Sequence, residues 1–339
     1  MTLIEPGLAV ALVFALAFAV TNGLHDASNA IATLVATRAA TPLRAILMAS
    51  VFNMVGPLFV GTAVADTIGG IVTVPPRAAT AVIASGLAAA VGWNLLTWWL
   101  GLPSSSGHAL LGGLVGAALV EGGAGAVDWG GMDGWHPVGV VGTLVGLAVS
   151  PLLGGVAAAG AIRSVRRLAR RATRRWQLPV WAGEWAMSAA LAFSHGANDA
   201  QKSIGTVAAL LLAAGRIDSL AAPVWAKLAC AAALTAGTAL GGWKIIRTVG
   251  RGIYRIRAVD GLASQAASAG VILGASIVGA PVSTTQVVAS SVIGVGVGRR
   301  RWHHVRWAIV RQMGLAWAIT IPATVVLGGG LVTIWRWSS

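Results

Sequence analysis

Charged residues and cysteines are both scarce in this chain. Asp, Glu, Lys and Arg together make up 10% of its 339 residues, whereas soluble domains average about 25%, so a water-exposed globular domain is excluded. Cys230 is the only cysteine, which rules out an intrachain disulfide and a site built from several thiolates. No basic segment precedes the first apolar block, so we expect that block to be a retained helix and not a cleaved signal peptide.

Long apolar blocks take up much of the sequence that remains. Hydrophobic residues make up 56% of the chain, and most blocks reach the roughly 20 residues that a transmembrane helix needs. The clearest blocks are residues 8–20, 45–64, 78–100, 138–161, 221–243, 259–277 and 308–332. The sequence therefore predicts an all-α integral membrane protein, a polytopic bundle of about 10–12 transmembrane segments.

Two polar motifs occur twice along the chain. Residues 25–33 realign on residues 198–206, with Asp, Ala, Ile and Thr at matching positions, and residues 103–108 realign on residues 281–286. Two motif pairs in the same order and at nearly the same offset indicate an internal duplication, because chance alone rarely produces both.

The duplication divides the chain into a first membrane repeat, a linker rich in Arg and a second membrane repeat, over residues 1–161, 162–180 and 181–339. Each repeat is interpreted as five crossings. With the N-terminus outside, the loops that carry 19 of the 24 basic residues face the cytoplasm, as the positive-inside rule requires. Because five is odd, the second repeat is expected to be inverted, as in many secondary transporters. Both termini then lie outside the plasma membrane and the Arg-rich central loop is cytoplasmic.

Four segments differ from simple crossings. Segments 7–37 and 181–213 exceed one crossing in length and carry polar residues near their middle, so each is expected to break into two short helices. The segments that begin at Pro103 and Pro281 are short and start with prolines and hydroxyl residues, which suits re-entrant hairpins.

The Arg-rich linker is expected to contact anionic lipid headgroups. It is not expected to bind nucleic acid, since no recognised binding motif accompanies it.

Asp26 and Asp199 are ionisable residues inside predicted membrane segments. Such a group costs at least about 2.5–3.5 kcal/mol on insertion scales and normally faces a partner, a cavity or an ion path. A carboxylate beside amide oxygens suits a small cation, a metal ion included, or a proton; capping of a broken helix is the alternative. The residues predicted to extend this cation or proton site are Asn22, His25, Asn29 and Asn198, along with His195.

Hydroxyl residues follow the prolines in both repeats. Ser105 and Ser106 in the first repeat, and Ser283, Thr284 and Thr285 in the second, precede apolar helical stretches. Helix N-termini and hydroxyl groups together can bind an oxyanion such as phosphate. Ordinary N-capping is the alternative, but it explains only one hydroxyl residue per helix.

Lys202 occupies the position that matches Asn29 of the first repeat. It could bind the anion directly, or neutralise Asp199 in a buried pair; a position near an interface with a snorkelling side chain is a third alternative. A fixed positive charge at this position disfavours a second cation, so we do not expect the two repeats to be chemically equivalent.

Four stretches resemble the inorganic phosphate transporter (PiT) family, in particular its bacterial low-affinity members: Gly23–Ala30, Leu102–His108, Ser194–Lys202 and Ala280–Gln286. The resemblance covers essentially the whole chain. It implies phosphate as the substrate, cation-coupled uptake, and inverted repeats with the site between them. By matching position it implies cation or proton residues at Asp26, Asn29 and Asp199, and phosphate-binding residues at Ser105, Ser106, Ser283 and Thr284.

The chain departs from the family pattern at two positions. Gly107 stands where a third hydroxyl residue is common, and Gln286 stands where members often carry His. Both departures leave fewer donor or titratable groups near the site. Lys202 and His25 resemble the proton-coupled bacterial branch more than the sodium-coupled branch.

The sequence thus predicts a symporter that carries inorganic phosphate with protons or sodium ions, by alternating access at a midplane site between the repeats. A sulfate permease of the same family is the main alternative. An intramembrane enzyme is less well supported, because catalytic dyads do not need hydroxyl runs repeated in both halves. An ion channel is less well supported, because buried Asp and Lys residues favour a closed site over an open pore. No tightly bound cofactor is expected; co-transport of a divalent metal with phosphate and a homodimer are both left open.

Overall fold

The computed structural model describes residues 5–133, 136–168 and 176–338, which are almost entirely helical. Twelve α-helices follow one another along the described chain: α1 Pro6–Ala36, α2 Pro42–Phe59, α3 Ala63–Gly69, α4 Pro76–Leu100, α5 Ser106–Gly122, α6 Gly139–Leu168, α7 Gln177–Ala213, α8 Val224–Leu240, α9 Trp243–Arg247, α10 Ala258–Ile277, α11 Thr284–Gly298 and α12 Trp307–Ser338. Helices α1, α2 and α4 start with proline, which suits a first helical position because the N–H that proline lacks has no partner there.

Short elements connect some of these helices. They are two 3-10 turns, Gly123–Ala126 and Trp302–His304, a π-helical turn, Thr248–Gly252, and two strands, β1 Met132–Asp133 and β2 His136–Pro137. The strands pair antiparallel between α5 and α6.

The linker predicted over residues 162–180 is helical at both of its ends. Helix α6 continues to Leu168 and α7 already begins at Gln177. Residues 169–175, which hold part of the Arg-rich stretch, lie outside the described residues.

Six of the described helices are long and apolar enough to cross a membrane, namely α1, α2, α4, α5, α6 and α12, and α8 and α11 are shorter apolar helices. Large apolar side chains point outward from them, as at Val13, Leu152 and Val326. Soluble monomers rarely expose apolar surface on this scale. The prediction of a polytopic, all-α membrane protein is therefore confirmed.

Helices α1 and α7 are each continuous, so the prediction that each breaks into two short helices is wrong. Their prolines, Pro6 and Pro179, lie in the first helical turn, where a missing N–H costs no intrahelical hydrogen bond. Asp26 and Asp199 need no unwound backbone, because their carboxylates accept hydrogen bonds from side chains of other helices.

The connections from α4 to α5 and from α10 to α11 enter the protein interior. Residues 103–106 and 281–284 are buried, and the Thr97 hydroxyl of α4 lies 2.9 Å from the Ser104 hydroxyl in its connection. Each hydroxyl motif therefore starts its helix inside the protein, beside α1 and α7. This geometry suits the predicted hairpins, whose placement relative to the bilayer stays a prediction.

Helix packing in the first half of the chain is repeated in the second half. The five predicted crossings of the first repeat correspond to α1, α2, α4, α5 and α6, and those of the second to α7, α8, α10, α11 and α12. Helix α1 packs extensively on α8 while α7 packs on α2, and α5 packs on α12 while α11 packs on α6. Two repeats related by a pseudo-two-fold axis produce such an exchange. The packing thus supports the predicted duplication, and the inverted orientation stays a prediction.

Glycines let α2 approach α7 closely. A Cβ added at Gly196 would lie 2.3 Å from the carbonyl oxygen of Asn53, and one at Gly56 would lie 2.2 Å from that of Phe193. No side chain fits at such distances, so the two backbones meet directly. This contact brings Asn53 of α2 to His195 of α7, with 3.1 Å between Asn53 Oδ1 and His195 Nδ1.

Candidate functional site

Asn22, Asp26 and Asn29 are buried and lie on one face of α1, because residues three and four apart face the same side of a helix. The Asp26 carboxylate accepts hydrogen bonds from the hydroxyls of Thr285, at 2.5 Å, and Ser106, at 3.2 Å. Asn22 Oδ1, 2.7 Å from the Ser106 hydroxyl, is an alternative acceptor for its single hydrogen. Hydroxyl residues of α5 and α11 therefore meet at one α1 carboxylate.

His195, Asp199 and Lys202 form the corresponding buried face of α7. The Thr284 hydroxyl donates to Asp199 Oδ2 at 2.8 Å. Lys202 forms an ion pair with Asp199 and donates to the Val282 carbonyl oxygen at 3.0 Å. A lysine that is only 1% exposed needs such partners, because burial of an unpaired charge is costly.

The two carboxylates lie on either side of the His195 ring. Its Nε2 atom is 2.8 Å from Asp199 Oδ2 and 3.9 Å from Asp26 Oδ2. Ligand atoms from the three residues lie within 4.8 Å of one another. An imidazole nitrogen and carboxylate oxygens at this spacing could hold a metal ion. The structure therefore brings together Asp26, Asp199 and His195, which the sequence assigned to one polar site.

An amide of α1 joins the two hydroxyl residues at the start of α11. Asn29 Nδ2 donates to the hydroxyl oxygens of Thr284, at 3.4 Å, and Thr285, at 3.3 Å. Thr284 and Thr285 in turn donate to Asp199 and Asp26 respectively. Three predicted anion-binding residues, Ser106 included, thus lie against the predicted cation-binding residues.

Ser105 and Ser283 act as N-caps in this structure. The Ser105 hydroxyl oxygen accepts a hydrogen bond from the backbone N–H of His108, and that of Ser283 accepts one from Gln286, both at 3.3 Å. The alternative of ordinary capping therefore applies to one residue of each hydroxyl motif. A capping hydroxyl keeps its own hydrogen, which remains able to donate to an anion.

His25 and Asn198 lie at the edge of the cluster. His25 Nδ1 is 3.6 Å from Asp26 Oδ1, while its Nε2 is 3.2 Å from the Thr97 hydroxyl. Asn198 Nδ2 donates to the Ser276 hydroxyl of α10 at 3.0 Å. The structure therefore places His25 beside one carboxylate and directs the Asn198 side chain toward α10.

Three buried amide atoms at the site have no hydrogen-bond partner among the described residues: Asn22 Nδ2, Asn29 Oδ1 and Asn198 Oδ1. Buried polar atoms are normally satisfied, so each exception calls for an explanation. An amide oxygen suits a cation and an amide nitrogen suits an anion. The residues at the site therefore fit both a coupling cation and an oxyanion.

Sequence reasoning missed a second group of buried acids. Glu184 of α7 is 0% exposed and accepts a hydrogen bond from the Thr37 hydroxyl at 2.9 Å, and Asp260 of α10 forms an ion pair with Arg299. The signal that reveals Asp26, an acid within an apolar segment, was also present at these positions.

The fold defines a multi-pass membrane protein whose interior holds a buried cluster of carboxylates, amides and hydroxyls. A sequence model of the phosphate transporter family, PHO4, matches residues 22–187 and 180–328. The chain belongs to the phosphate transporter family, whose members are transporters and not enzymes.

Several known proteins resemble this chain over most of its length, and three of them are probable low-affinity inorganic phosphate transporters. Those from Rhizobium meliloti and Bacillus subtilis are each 38% identical, over 96% and 93% of this chain and 96% and 92% of their own lengths. The Mycobacterium bovis protein is 38% identical over 95% of this chain and 76% of its own length.

A solved structure described as the sodium-dependent phosphate transporter has the same fold. It superposes with a TM-score of 0.85 and covers 98% of this chain and 99% of its own. The two sequences are 24% identical.

Proposed function

We propose that this chain is a symporter that carries inorganic phosphate across the plasma membrane together with protons or sodium ions. Alternating access would expose the site first to one side and then to the other. One observation carries the proposal: hydroxyls of two buried helix starts, on Ser106, Thr284 and Thr285, donate to the carboxylates of Asp26 and Asp199.

The shared hydroxyls suggest how cation and anion are coupled. A carboxylate and a phosphate oxygen compete for the same donors, because a hydroxyl group donates only one hydrogen bond. A cation or proton bound at Asp26 weakens that carboxylate as an acceptor. The Ser106 and Thr285 hydroxyls can then turn to the anion. Cation binding therefore precedes phosphate binding in this scheme. Asn22, His25, Asn29 and Asn198 support the cation at Asp26, and Asp199 is the matching coupling carboxylate of the second repeat.

The anion is proposed to bind at the N-terminal ends of α5 and α11. The first N–H groups of a helix lack intrahelical partners and attract an anion. Ser105, Ser106, Ser283, Thr284 and Thr285 add hydroxyl donors there, and the Lys202 ammonium contributes positive charge from α7.

The two repeats are proposed to have opposite orientations, with both termini outside and the central loop in the cytoplasm. In support, Arg163, Arg166 and Arg167 are exposed where α6 ends, close to the loop that the positive-inside rule places in the cytoplasm. The same arginines are proposed to contact anionic lipid headgroups.

Phosphate uptake into proteoliposomes tests the function. The purified chain is reconstituted, and labelled phosphate accumulation is measured under an imposed sodium gradient or proton gradient, with sulfate as a competitor. Accumulation under either gradient with no effect of sulfate supports phosphate symport and names the coupling ion. Strong competition by sulfate identifies a sulfate permease, and non-saturating current without accumulation identifies a channel.

Two finer proposals can be tested with the same preparation. Asp26, His195 and Asp199 could bind a divalent metal ion that is transported together with phosphate. Uptake that requires magnesium and carries labelled metal at a fixed ratio to phosphate would support a metal–phosphate substrate. Light scattering of the detergent-purified chain would show whether it forms a homodimer.

A further inference from the structure

Two departures from the internal repeat meet at one point in the structure. Lys202 stands where the first repeat has Asn29, and Gly107 stands where the second repeat has Thr285. A Cβ added at Gly107 would lie 3.3 Å from Lys202 Nζ and 3.7 Å from its Cε. The end of the lysine therefore occupies the space that a side chain at position 107 would enter.

Around Asp26, the positions that match Lys202 and Gly107 in the repeat are Asn29 and Thr285, and both provide neutral groups. The Thr285 and Ser106 hydroxyls donate to the two carboxylate oxygens. Asn29 Nδ2 contacts the Thr285 hydroxyl, and Asn29 Oδ1 has no hydrogen-bond partner within the described chain. Hydroxyl and amide oxygens beside a carboxylate are the ligands that a hard monovalent cation uses.

Around Asp199, an ammonium group takes the place of such a cation. Lys202 Nζ forms an ion pair with the carboxylate and donates to the Val282 carbonyl oxygen at 3.0 Å. A carboxylate oxygen together with a backbone carbonyl oxygen is also a ligand pair for a bound sodium ion. The absence of a side chain at Gly107 leaves the room that the ammonium group needs.

We infer that the Lys202 ammonium is a built-in substitute for a coupling cation at Asp199. The inference rests on the proposed symport function and specifies its coupling. Only the Asp26 half of the site exchanges a cation with the solution, whereas in the other half Lys202 permanently neutralises Asp199. The chain then takes up one coupling cation fewer per phosphate than it would if both halves matched the first repeat.

The test places beside Asp199 the same amide and hydroxyl groups that Asn29 and Thr285 provide beside Asp26. The double variant Lys202→Asn/Gly107→Thr restores an amide and a hydroxyl, and its phosphate uptake into proteoliposomes is measured against sodium concentration, with choline as the replacement cation. We expect the Hill coefficient for sodium to exceed that of the native chain by about one. Phosphate affinity is expected to gain a sodium dependence of at least about fivefold.

Two control variants separate the ligand effect from the loss of charge. Lys202→Met removes the ammonium group and supplies no oxygen ligand, which leaves the Asp199 carboxylate and the Val282 carbonyl oxygen without the added amide and hydroxyl, so its sodium response is expected to be weaker than that of the double variant. Lys227→Asn makes the same change as Lys202→Asn at a partly exposed position of α8, and is expected to behave like the native chain.

Thermal unfolding of the purified variants gives a readout that does not require transport. A ligand that binds only the native state raises its unfolding temperature, so sodium is expected to stabilise the double variant more than the native chain or Lys227→Asn. Gly107→Thr alone is expected to lower the unfolding temperature, because its side chain crowds Lys202, and Lys202→Asn is expected to recover that loss. These shifts remain measurable if the double variant transports poorly.

The inference is overturned if the double variant shows no added sodium response in either assay. Phosphate uptake by the native chain distinguishes a failure of the proposed Lys202 role from a failure of the proposed symport function. Phosphate uptake by the native chain, combined with no added response in the double variant, overturns only the role of Lys202. No uptake by the native chain under either gradient overturns the symport function itself.

Discussion

At the scale of single residues, Asp26 links three helices. It lies on α1 and accepts hydrogen bonds from Ser106 of α5 and Thr285 of α11. Asp199 of α7 also accepts a hydrogen bond from α11, donated by Thr284, but it has in addition a lysine of its own helix as a partner. The two aspartates are therefore related by the repeat but differ in the charge around them. The Asp26 carboxylate is the one that can take up a cation from solution without competing with an ammonium group.

Replacing Asp26 should uncouple transport. Asp26→Asn keeps the shape of the side chain but removes its negative charge, so we expect gradient-driven phosphate accumulation to fall to the level of protein-free vesicles. The measurement is uptake into proteoliposomes that contain equal amounts of inserted protein. Asp66→Asn, at an exposed acid of α3, is the matched control and should accumulate phosphate normally. Normal accumulation by Asp26→Asn would remove Asp26 from the coupling site.

At the scale of the element, each hydroxyl motif both starts a helix and supplies ligands. Ser105 and Ser283 cap α5 and α11, while the residues after them face the carboxylates. The same few residues therefore fix where the helix begins and present its first turn to the site.

Substitutions at Ser283 and Thr284 should distinguish the helix-capping role of the first residue from the phosphate-binding role of the second. Ser283→Ala removes a cap that is typically worth about 0.5–2 kcal/mol, so we expect a lower unfolding temperature as well as weaker phosphate affinity. Thr284→Ala removes a hydroxyl that caps nothing, so the expected effect is weaker affinity with a smaller loss of stability. Thermal unfolding and the half-saturation concentration for phosphate measure the two effects. An unchanged unfolding temperature in Ser283→Ala would contradict the capping role.

The contact between α2 and α7 should tolerate no added methyl group. In Gly196→Ala the new Cβ would meet the Asn53 carbonyl at 2.3 Å, so the helices must separate, at a cost of about 1–3 kcal/mol. Separation also moves Asn53 away from His195, and we expect both the unfolding temperature and phosphate uptake to fall.

Gly92→Ala in α4 is the matched control for that substitution. Nothing lies within 4 Å of a Cβ added there, and alanine favours a helix by up to about 1 kcal/mol over glycine. Its unfolding temperature should equal or exceed that of the native chain. Equal stability of the Gly196→Ala and Gly92→Ala variants would show that the contact of α2 with α7 does not limit packing.

At the scale of the whole molecule, the exchanged packing of α1 on α8 and α7 on α2 gives each half of the chain part of the other half's environment. Asp26 of the first half accepts a hydrogen bond from Thr285 of the second. Neither half could therefore form the site alone.

The proposed topology can be tested with single cysteines. Cys230 is buried, so Cys230→Ser provides a background without reactive thiols. In intact cells, a membrane-impermeant thiol reagent should label Asp218→Cys, in the loop between α7 and α8, and should miss Arg167→Cys at the end of α6. The reverse pattern would mean that the chain is inserted with its termini inside, and labelling of both sites would exclude the proposed five-crossing repeats.

Residue patterns predicted most of the helices and a large part of the site. The ten predicted spans correspond to ten of the described helices, because apolar blocks of that length have few alternatives in a membrane. Asp26 and Asp199 were predicted by the cost of burying a charge, and the hydroxyl residues by their position at helix starts. The break predicted in α1 and α7 was wrong, since side chains of α5 and α11 satisfy the carboxylates without an unwound backbone.

The sequence by itself determined that the chain is a membrane-embedded bundle with a duplicated set of polar residues, because hydropathy and repetition are properties of the order of residues. Only the tertiary structure decided which polar groups meet. The approach of Lys202 to Gly107 joins α7 to α5, and the bond from Thr285 to Asp26 joins residues 259 positions apart. Side-chain contacts of this kind depend on how the helices cross, and hydropathy and repeat patterns along the chain do not reveal those crossings.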